Sequence, residues 1–403
     1  MDSYLDSTTD KANALKTELE KNGYTVEDVS ANGNKITIKN YRGKDKVLDV
    51  STGTVSEPLT VAKAKSAGTV FSDDNTPLPD KDGNIVVIPK GFKISSDSAE
   101  VVTEGIVIED ATYTNTIGSE FVWIPVSKDS TDANKVKGAK GNKTITLSRY
   151  KFDDNGDPDD QGANTIDYFY TELASSLYGE AVAKTDITSA NGFKEKTKAA
   201  GGFWIGRYEA RIEGYESINT NCPGNDRNWV GYTGGKLVEK PNAQVFNYIT
   251  QNKASELSQK MYEKENDGTT AITKFESDLI NSYAWDTATL FLQEYDNRTY
   301  NINTNSNYKA KYSRQIRLSE GLKNTGTNAS SITDANKDKI CNVYDMADNC
   351  YEWTTETCSL SDYPCVIRGG NYNSSDNYTS NRHLYSTTDA YDNDSFRPVL
   401  YIK

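Results

Sequence analysis

Apolar and polar positions alternate in short blocks whose period changes along the chain. From Asp10 to Asn22 the apolar positions Ala12, Leu15 and Leu19 fall on one helical face, with Thr9 or Asp10 as N-cap and Gly23 as the stop. Two alternating runs, Lys35 to Lys39 and Lys46 to Val50, flank the turn-prone Asn40-Tyr41-Arg42-Gly43 and predict a hairpin. Residues 1–56 therefore read as a small α+β attachment module. Residues 57–84 contain Pro58, Pro77, Pro79 and the Asp80-Lys81-Asp82-Gly83 turn, and read as a linker that wraps onto the next domain. Strand signals begin at Ile85 and recur at Gly105 to Glu109 and Glu120 to Val126, while helical spacing covers Tyr168 to Ala183, Asn247 to Tyr262 and Asp278 to Glu294. Strands and helices interleave without a βαβ rhythm, so residues 85–403 read as one large α+β domain.

Composition sharpens that picture. The 403 residues are 35% hydrophobic and rich in Asn, Asp, Ser, Thr and Tyr, with 26 of the last, which points to many turns and long solvent-facing loops. A formal net charge of -13 repels nucleic-acid backbones and anionic lipid, so nucleic-acid binding is not expected. No apolar run reaches membrane-spanning length, and the N-terminus lacks the pattern of a signal peptide. The chain is expected to be soluble, with any anchor outside it.

Candidate chemistry is sparse. Cys222, Cys341, Cys350, Cys358 and Cys365 lack the paired spacing of a zinc site, and the single histidine cannot complete one. Cys358 and Cys365 flank a turn-prone stretch, so a small disulfide loop and free buried thiols stand as equal alternatives. The run from Asp153 to Asp160 has the look of a calcium loop, but Asn164 stands where the bidentate Glu belongs; a hairpin turn is favoured and only weak calcium binding stays open. No cofactor is expected. His383 has no nucleophile motif to support a catalytic triad.

Several phrases resemble the formylglycine-generating-enzyme (sulfatase-modifying factor) family: Glu120-Phe121-Val122-Trp123-Ile124-Pro125, Gly202-Phe203-Trp204-Ile205-Gly206-Arg207-Tyr208-Glu209, and Tyr283-Ala284-Trp285-Asp286. The run continues with Asn342-Val343-Tyr344-Asp345-Met346-Ala347-Asp348-Asn349, Tyr351-Glu352-Trp353-Thr354, Ile367-Arg368-Gly369-Gly370 and Ser395-Phe396-Arg397-Pro398-Val399. The resemblance implies a C-type lectin fold of that type, with loops converging on one exposed face. Trp123, Trp204, Trp285 and Trp353 are expected as core anchors, Arg368 and Arg397 as loop holders, and Gly369-Gly370 as a turn or close packing. The family's enzymes use a late cysteine pair around an arginine-containing segment; here that stretch reads Asn381-Arg382-His383-Leu384-Tyr385 and has no cysteine. The family's oxidative chemistry therefore lacks its nucleophile. The N-terminal module is similar to the end of the globular part of pilin-like proteins, with a generic adaptor as the alternative.

The 24 residues from Asn371 to Asp394 contain no Lys, Glu, Gln, Met or Trp, and 20 of them are Asn, Tyr, Ser, Asp or Thr. The segment resembles the variable region of proteins diversified by retroelements that replace adenines in AAC or AAT codons, a process that excludes those five types. The palette is that of a paratope. Expected ligand contacts are Tyr372, Asn373, Asp376, Asn377, Tyr378, His383, Leu384, Tyr385, Tyr391, Asp392 and Asp394, with Asn381 and Arg382 as scaffold. The resulting expectation is a non-catalytic display protein, of adhesin or receptor-binding type, that binds a surface protein or glycan. Its N-terminal module would join a larger assembly on a bacterial surface, a pilus or a phage particle. The alternative is an enzyme of the same fold with cysteine-independent chemistry.

Overall fold

A computed structural model describes residues 8–21, 23–27, 35–41, 44–52, 54–56, 58–131, 134–152, 158–159, 170–213, 236–242, 244–295, 313–314, 324–325, 339–347, 349–372 and 377–403. The chain divides into two units, Met1–Thr60 and Val61–Lys403.

In the first unit the helix Thr8–Lys21 buries Ala12 against Val26 and Ile36, and Leu15, Leu19, Leu48 and Val50 pack around them. Gly23 ends the helix with a φ of 85°: its N–H reaches Glu20 O and the Tyr24 N–H reaches Leu19 O, both at 3.0 Å. The predicted hairpin is present as Lys35–Tyr41 paired with Lys44–Asp49. Val26–Glu27 and Thr54–Ser56 extend it to four antiparallel strands.

The second unit begins earlier than the sequence suggested. Residues expected to be a linker form the helix Val61–Ala67, with Val61 and Ala64 in the core, and the strand Thr76–Pro79, paired with Ile85–Ile88. Phe71 and Leu78 join the same core. The prolines misled because each strand of a two-stranded ladder keeps a free edge, where a missing N–H costs nothing.

The core surrounds a six-stranded antiparallel sheet in the order Phe275–Leu279, Pro398–Ile402, Gly202–Gly206, Glu120–Pro125, Val107–Asp110 and Phe92–Ile94. Two of the aromatic phrases noted in the sequence are its central strands. They place Trp123 opposite Trp204 with ring centroids 4.9 Å apart, both fully buried. The helix Ser282–Tyr295 buries most of its length, Trp285 included.

A second sheet carries the late motifs. Its central strand Tyr351–Cys358 pairs along one edge with Cys365–Arg368, which pairs in turn with the outer strand Arg382–Tyr385. Along the other edge run Tyr170–Glu172, antiparallel, and Asp394–Phe396, parallel. The unit is thus mixed α+β with several antiparallel sheets, as expected.

One helix is corrected. Within Tyr168 to Ala183 the described residues form the strand Tyr170–Glu172 followed by bends, because local side chains capture the backbone: Glu180 accepts the N–H groups of Leu177 and Tyr178, and Ser176 Oγ accepts that of Gly179. The helix Gln251–Lys260 starts at a Thr250 cap whose side chain accepts the Lys253 N–H, four residues later than its periodicity implied. Among the described residues no helix is long and apolar enough to cross a membrane.

Candidate functional site

Among its described residues, the segment 371–394 is held by fixed elements of the fold mainly through its own backbone atoms. At its start the Tyr372 N–H donates to Asn349 O at 2.9 Å. Asn377–Tyr378 pairs with Ser313–Arg314. The Trp285 indole donates to Thr379 O at 2.7 Å, and Arg368 Nε donates to Asn381 O at 2.8 Å. The strand Arg382–Tyr385 is laddered to Cys365–Arg368. Towards the end, Tyr391 O accepts the Tyr248 N–H at 2.9 Å, Asp392 O accepts Asn247 Nδ2 at 2.6 Å, and Asn393 O accepts the Tyr351 N–H at 2.8 Å. Tyr248 has a φ of 53°, a left-handed conformation that the sequence pattern did not signal.

Arg382 is the main side-chain exception, as its scaffold reading implied. Its guanidinium donates to Glu356 Oε1 at 2.9 Å and Asp286 Oδ2 at 2.5 Å. Arg368 bonds both Asp286 and Glu356, and Arg149 reaches Glu356 Oε1 at 2.5 Å. Burial opposes ionisation of Glu356, but Arg382, Arg149 and Arg368 outweigh it and hold the carboxyl down at about 2. Arg397 closes a second pair with Glu352 and also donates to Gly206 O and Tyr344 O. Gly369, at φ 81°, lies so close to Met346 O that any Cβ would clash.

Register sorts the outer strand's side chains. Arg382 pairs with Arg368, and His383 with Ile367, so successive side chains point to opposite faces. His383 and Tyr385 turn towards Tyr351 and Trp353, with centroid distances of 4.7 and 5.7 Å. Both are half-buried. Burial, then the nearby Arg368, pushes the His383 imidazole below its ordinary value.

The expected contact residues therefore separate. Tyr391 and Asp392 are exposed, Tyr372 is half-exposed, and the Tyr372 hydroxyl donates to Asp392 Oδ2 at 2.7 Å. Leu384 is half-buried. Asp394 corrects the expectation: it is fully buried because its strand pairs in parallel with the central strand, and its Oδ2 accepts the Tyr391 N–H at 3.1 Å. Asn373 and Asp376 lie outside the described residues, as do the side chains of Asn377 and Tyr378. Asp389, not singled out from the sequence, closes the 386–389 turn by accepting the Ser386 N–H at 2.7 Å.

The thiols offer no reactive centre among the described residues. Among the described residues Cys350, Cys358 and Cys365 form no disulfide, and the Cys341 thiol donates to Thr103 O at 3.2 Å. Cys365 lies opposite Thr357, so Cys358 projects from the other face of the hairpin and no bridge forms. Burial raises Cys350 and takes Cys365 up to about 12. Among the described residues no group of three or more His, Cys, Asp or Glu is arranged to hold a metal ion. Only Pro158 and Asp159 of the calcium-like run are described, in a short strand.

No family model matches the chain, and no curated protein matches it. Among solved structures it is similar to CarF, at 18% identity over 35% of this chain and 53% of CarF, with a TM-score of 0.22. The chain thus spans about half the length of CarF. It is similar to Treponema denticola variable protein 1, at 17% identity over 49% of this chain and 84% of that one, TM-score 0.28. The U1 variant of Major Tropism Determinant aligns over 96% of this chain and 88% of its own, at 13% identity and a TM-score of 0.29.

Proposed function

We propose that this chain is a non-catalytic display protein with a C-type lectin fold of the formylglycine-generating-enzyme type. Its segment 371–394 forms a ligand-binding surface diversified by a retroelement. One observation carries the reading: among the described residues, the fold grips the segment mainly through main-chain atoms, with Tyr372 N at one end and Asn393 O at the other. A backbone-held segment can exchange its outward side chains without losing its path. That is what diversification requires, and it is the logic of a paratope on a rigid frame.

The ligand is a surface protein or glycan, met by Tyr372, Asn373, Asp376, Asn377, Tyr378, His383, Leu384, Tyr385, Tyr391 and Asp392. The first unit, pilin-like or otherwise, joins the protein to a larger assembly on a bacterial surface or a phage particle. The test is a library that randomises Tyr372, Asn373, Asp376, Asn377, Tyr378, Tyr391 and Asp392 to the residues reachable from adenine-mutated codons. Most members are expected to keep the parental melting temperature, and different members to select different ligands from a panel of surface proteins and glycans. A library in which most members unfold, or in which binding tracks residues outside the segment, overturns the reading.

A further inference from the structure

The charges of segment 371–394 are sorted by face. Its two basic side chains are withheld from a ligand: Arg382 is engaged by Asp286 and Glu356, and His383 is held below its ordinary range and is neutral near pH 7. The segment has no lysine. What remains is acidic and aromatic. Tyr391 Oη donates to Asp389 Oδ1 at 3.3 Å, and Tyr372 Oη donates to Asp392 Oδ2 at 2.7 Å, so each phenol is fixed by a carboxylate. The rings of Tyr385 and Tyr391 meet edge to face with centroids 5.6 Å apart.

A second, independent feature lies behind those rings. Asp394 is fully buried, and its Oδ1 has no hydrogen-bond partner although its charge is felt by Tyr385. The groups that act on this patch from neighbouring elements are Cys350 and Tyr351 of the central-strand region, Tyr248, and the turn's own Asp389 and Asp392. Among the described residues that act on it, none is an ammonium or a guanidinium.

We propose that this face takes a cationic side chain of a protein ligand, an arginine guanidinium or a lysine ammonium, seated against the Tyr385 and Tyr391 rings and attracted by Asp389, Asp392 and Asp394. The proposal rests on the display reading above and names its ligand chemistry. Aromatic faces attract cations, and unneutralised carboxylates around them add steering and orientation. Burial, ahead of the neighbouring Asp389 and Asp392, keeps the Asp394 carboxyl at about 7 while the face is empty. A bound cation favours its ionised form, so binding is linked to proton release and strengthens from about pH 6 to about pH 8.

The experiment titrates Nα-acetyl-arginine amide into the full chain carrying isotope-labelled tyrosine, with Nα-acetyl-citrulline amide as the uncharged control of the same shape. Saturable shifts are expected at the Tyr385 and Tyr391 rings with the arginine probe, and binding of the citrulline probe about two- to fivefold weaker or more. Asp394→Asn is expected to flatten the pH dependence, and the Asp389→Asn, Asp392→Asn pair to weaken arginine binding. Equal binding of both probes, or shifts confined to other tyrosines, overturns the proposal without any variant being needed. A selected ligand whose binding is lost in Tyr391→Ala but indifferent to Asp389→Asn, Asp392→Asn and to salt would sink the cationic assignment and leave display standing. A selected ligand indifferent to Tyr391→Ala would likewise overturn the cationic assignment, and only binding that tracks residues outside segment 371–394 would overturn the display reading.

Discussion

Glu356 and Asp394 are both buried carboxyls of the second sheet, and their surroundings drive them in opposite directions. Three guanidiniums hold Glu356 at about 2, whereas burial with one backbone donor leaves Asp394 at about 7. The consequences for stability have opposite signs. Glu356 binds its proton more weakly folded than unfolded, so its contribution is present above the ordinary glutamate range and is lost as pH falls towards 2. Asp394 binds its proton more strongly folded, so its contribution is full below about pH 4 and is lost as pH rises through about 7. Asp278, raised to about 7 mainly by burial, adds to the second trend. Thermal stability is therefore expected to peak in mildly acidic buffer and to fall by a few degrees towards pH 8. Melting curves of the wild type and Asp394→Asn across that range check it: the variant should lose less between pH 5 and pH 8, and parallel curves would show that Asp394 does not titrate there.

The strand Arg382–Tyr385 shows how much of the site could be read from the sequence. Its position after Arg-Gly-Gly, its composition and the scaffold role of Arg382 were legible, because they rest on residue types and order. Which of its aromatics face outward was not, since that depends on the register with Cys365–Arg368, a pairing no local pattern states. Contacts that no local pattern states also explain the burial of Asp394 and the absence of the expected helix from residues 170–183, where side-chain capture by Glu180 overrode a helical period. The four core tryptophans, by contrast, were legible from size and aliphatic neighbours alone. The register yields a graded prediction. Trp353→Ala opens a core cavity and should cost roughly 3–5 kcal/mol. Tyr385→Ala, which removes the ring packed edge-on against Trp353, should cost about 1–3 kcal/mol, and exposed Tyr391→Ala about 0.5 kcal/mol or less. Denaturant melts rank the three. A Tyr385 variant as stable as the Tyr391 variant would mean that the outer strand faces the other way.

On the scale of the whole molecule, the second unit is expected to fold on its own only if it starts at Val61. Prolines and polar turns made residues 57–84 look dispensable, yet Phe71 exchanges backbone bonds with Phe92 and Gly91 at 2.9 and 2.8 Å, tying this stretch to the edge of the six-stranded sheet. Asp80 reaches further in. Its carboxylate accepts the buried Val102 N–H at 2.8 Å, as well as the Asn84 N–H, so its loss leaves an interior donor unpaired. Val61, Phe71 and Leu78 each bury a large side chain worth about 1.5–3 kcal/mol. Together these losses are comparable with the roughly 5–15 kcal/mol that separates a typical folded domain from its unfolded chain. A chain of residues 61–403 should therefore melt in one cooperative transition, while residues 85–403, which the sequence alone suggested as a self-sufficient domain, should be insoluble or melt without cooperativity. Circular dichroism melts of the two chains decide between the boundaries. Equal cooperativity and equal midpoints would return residues 61–84 to the role of linker.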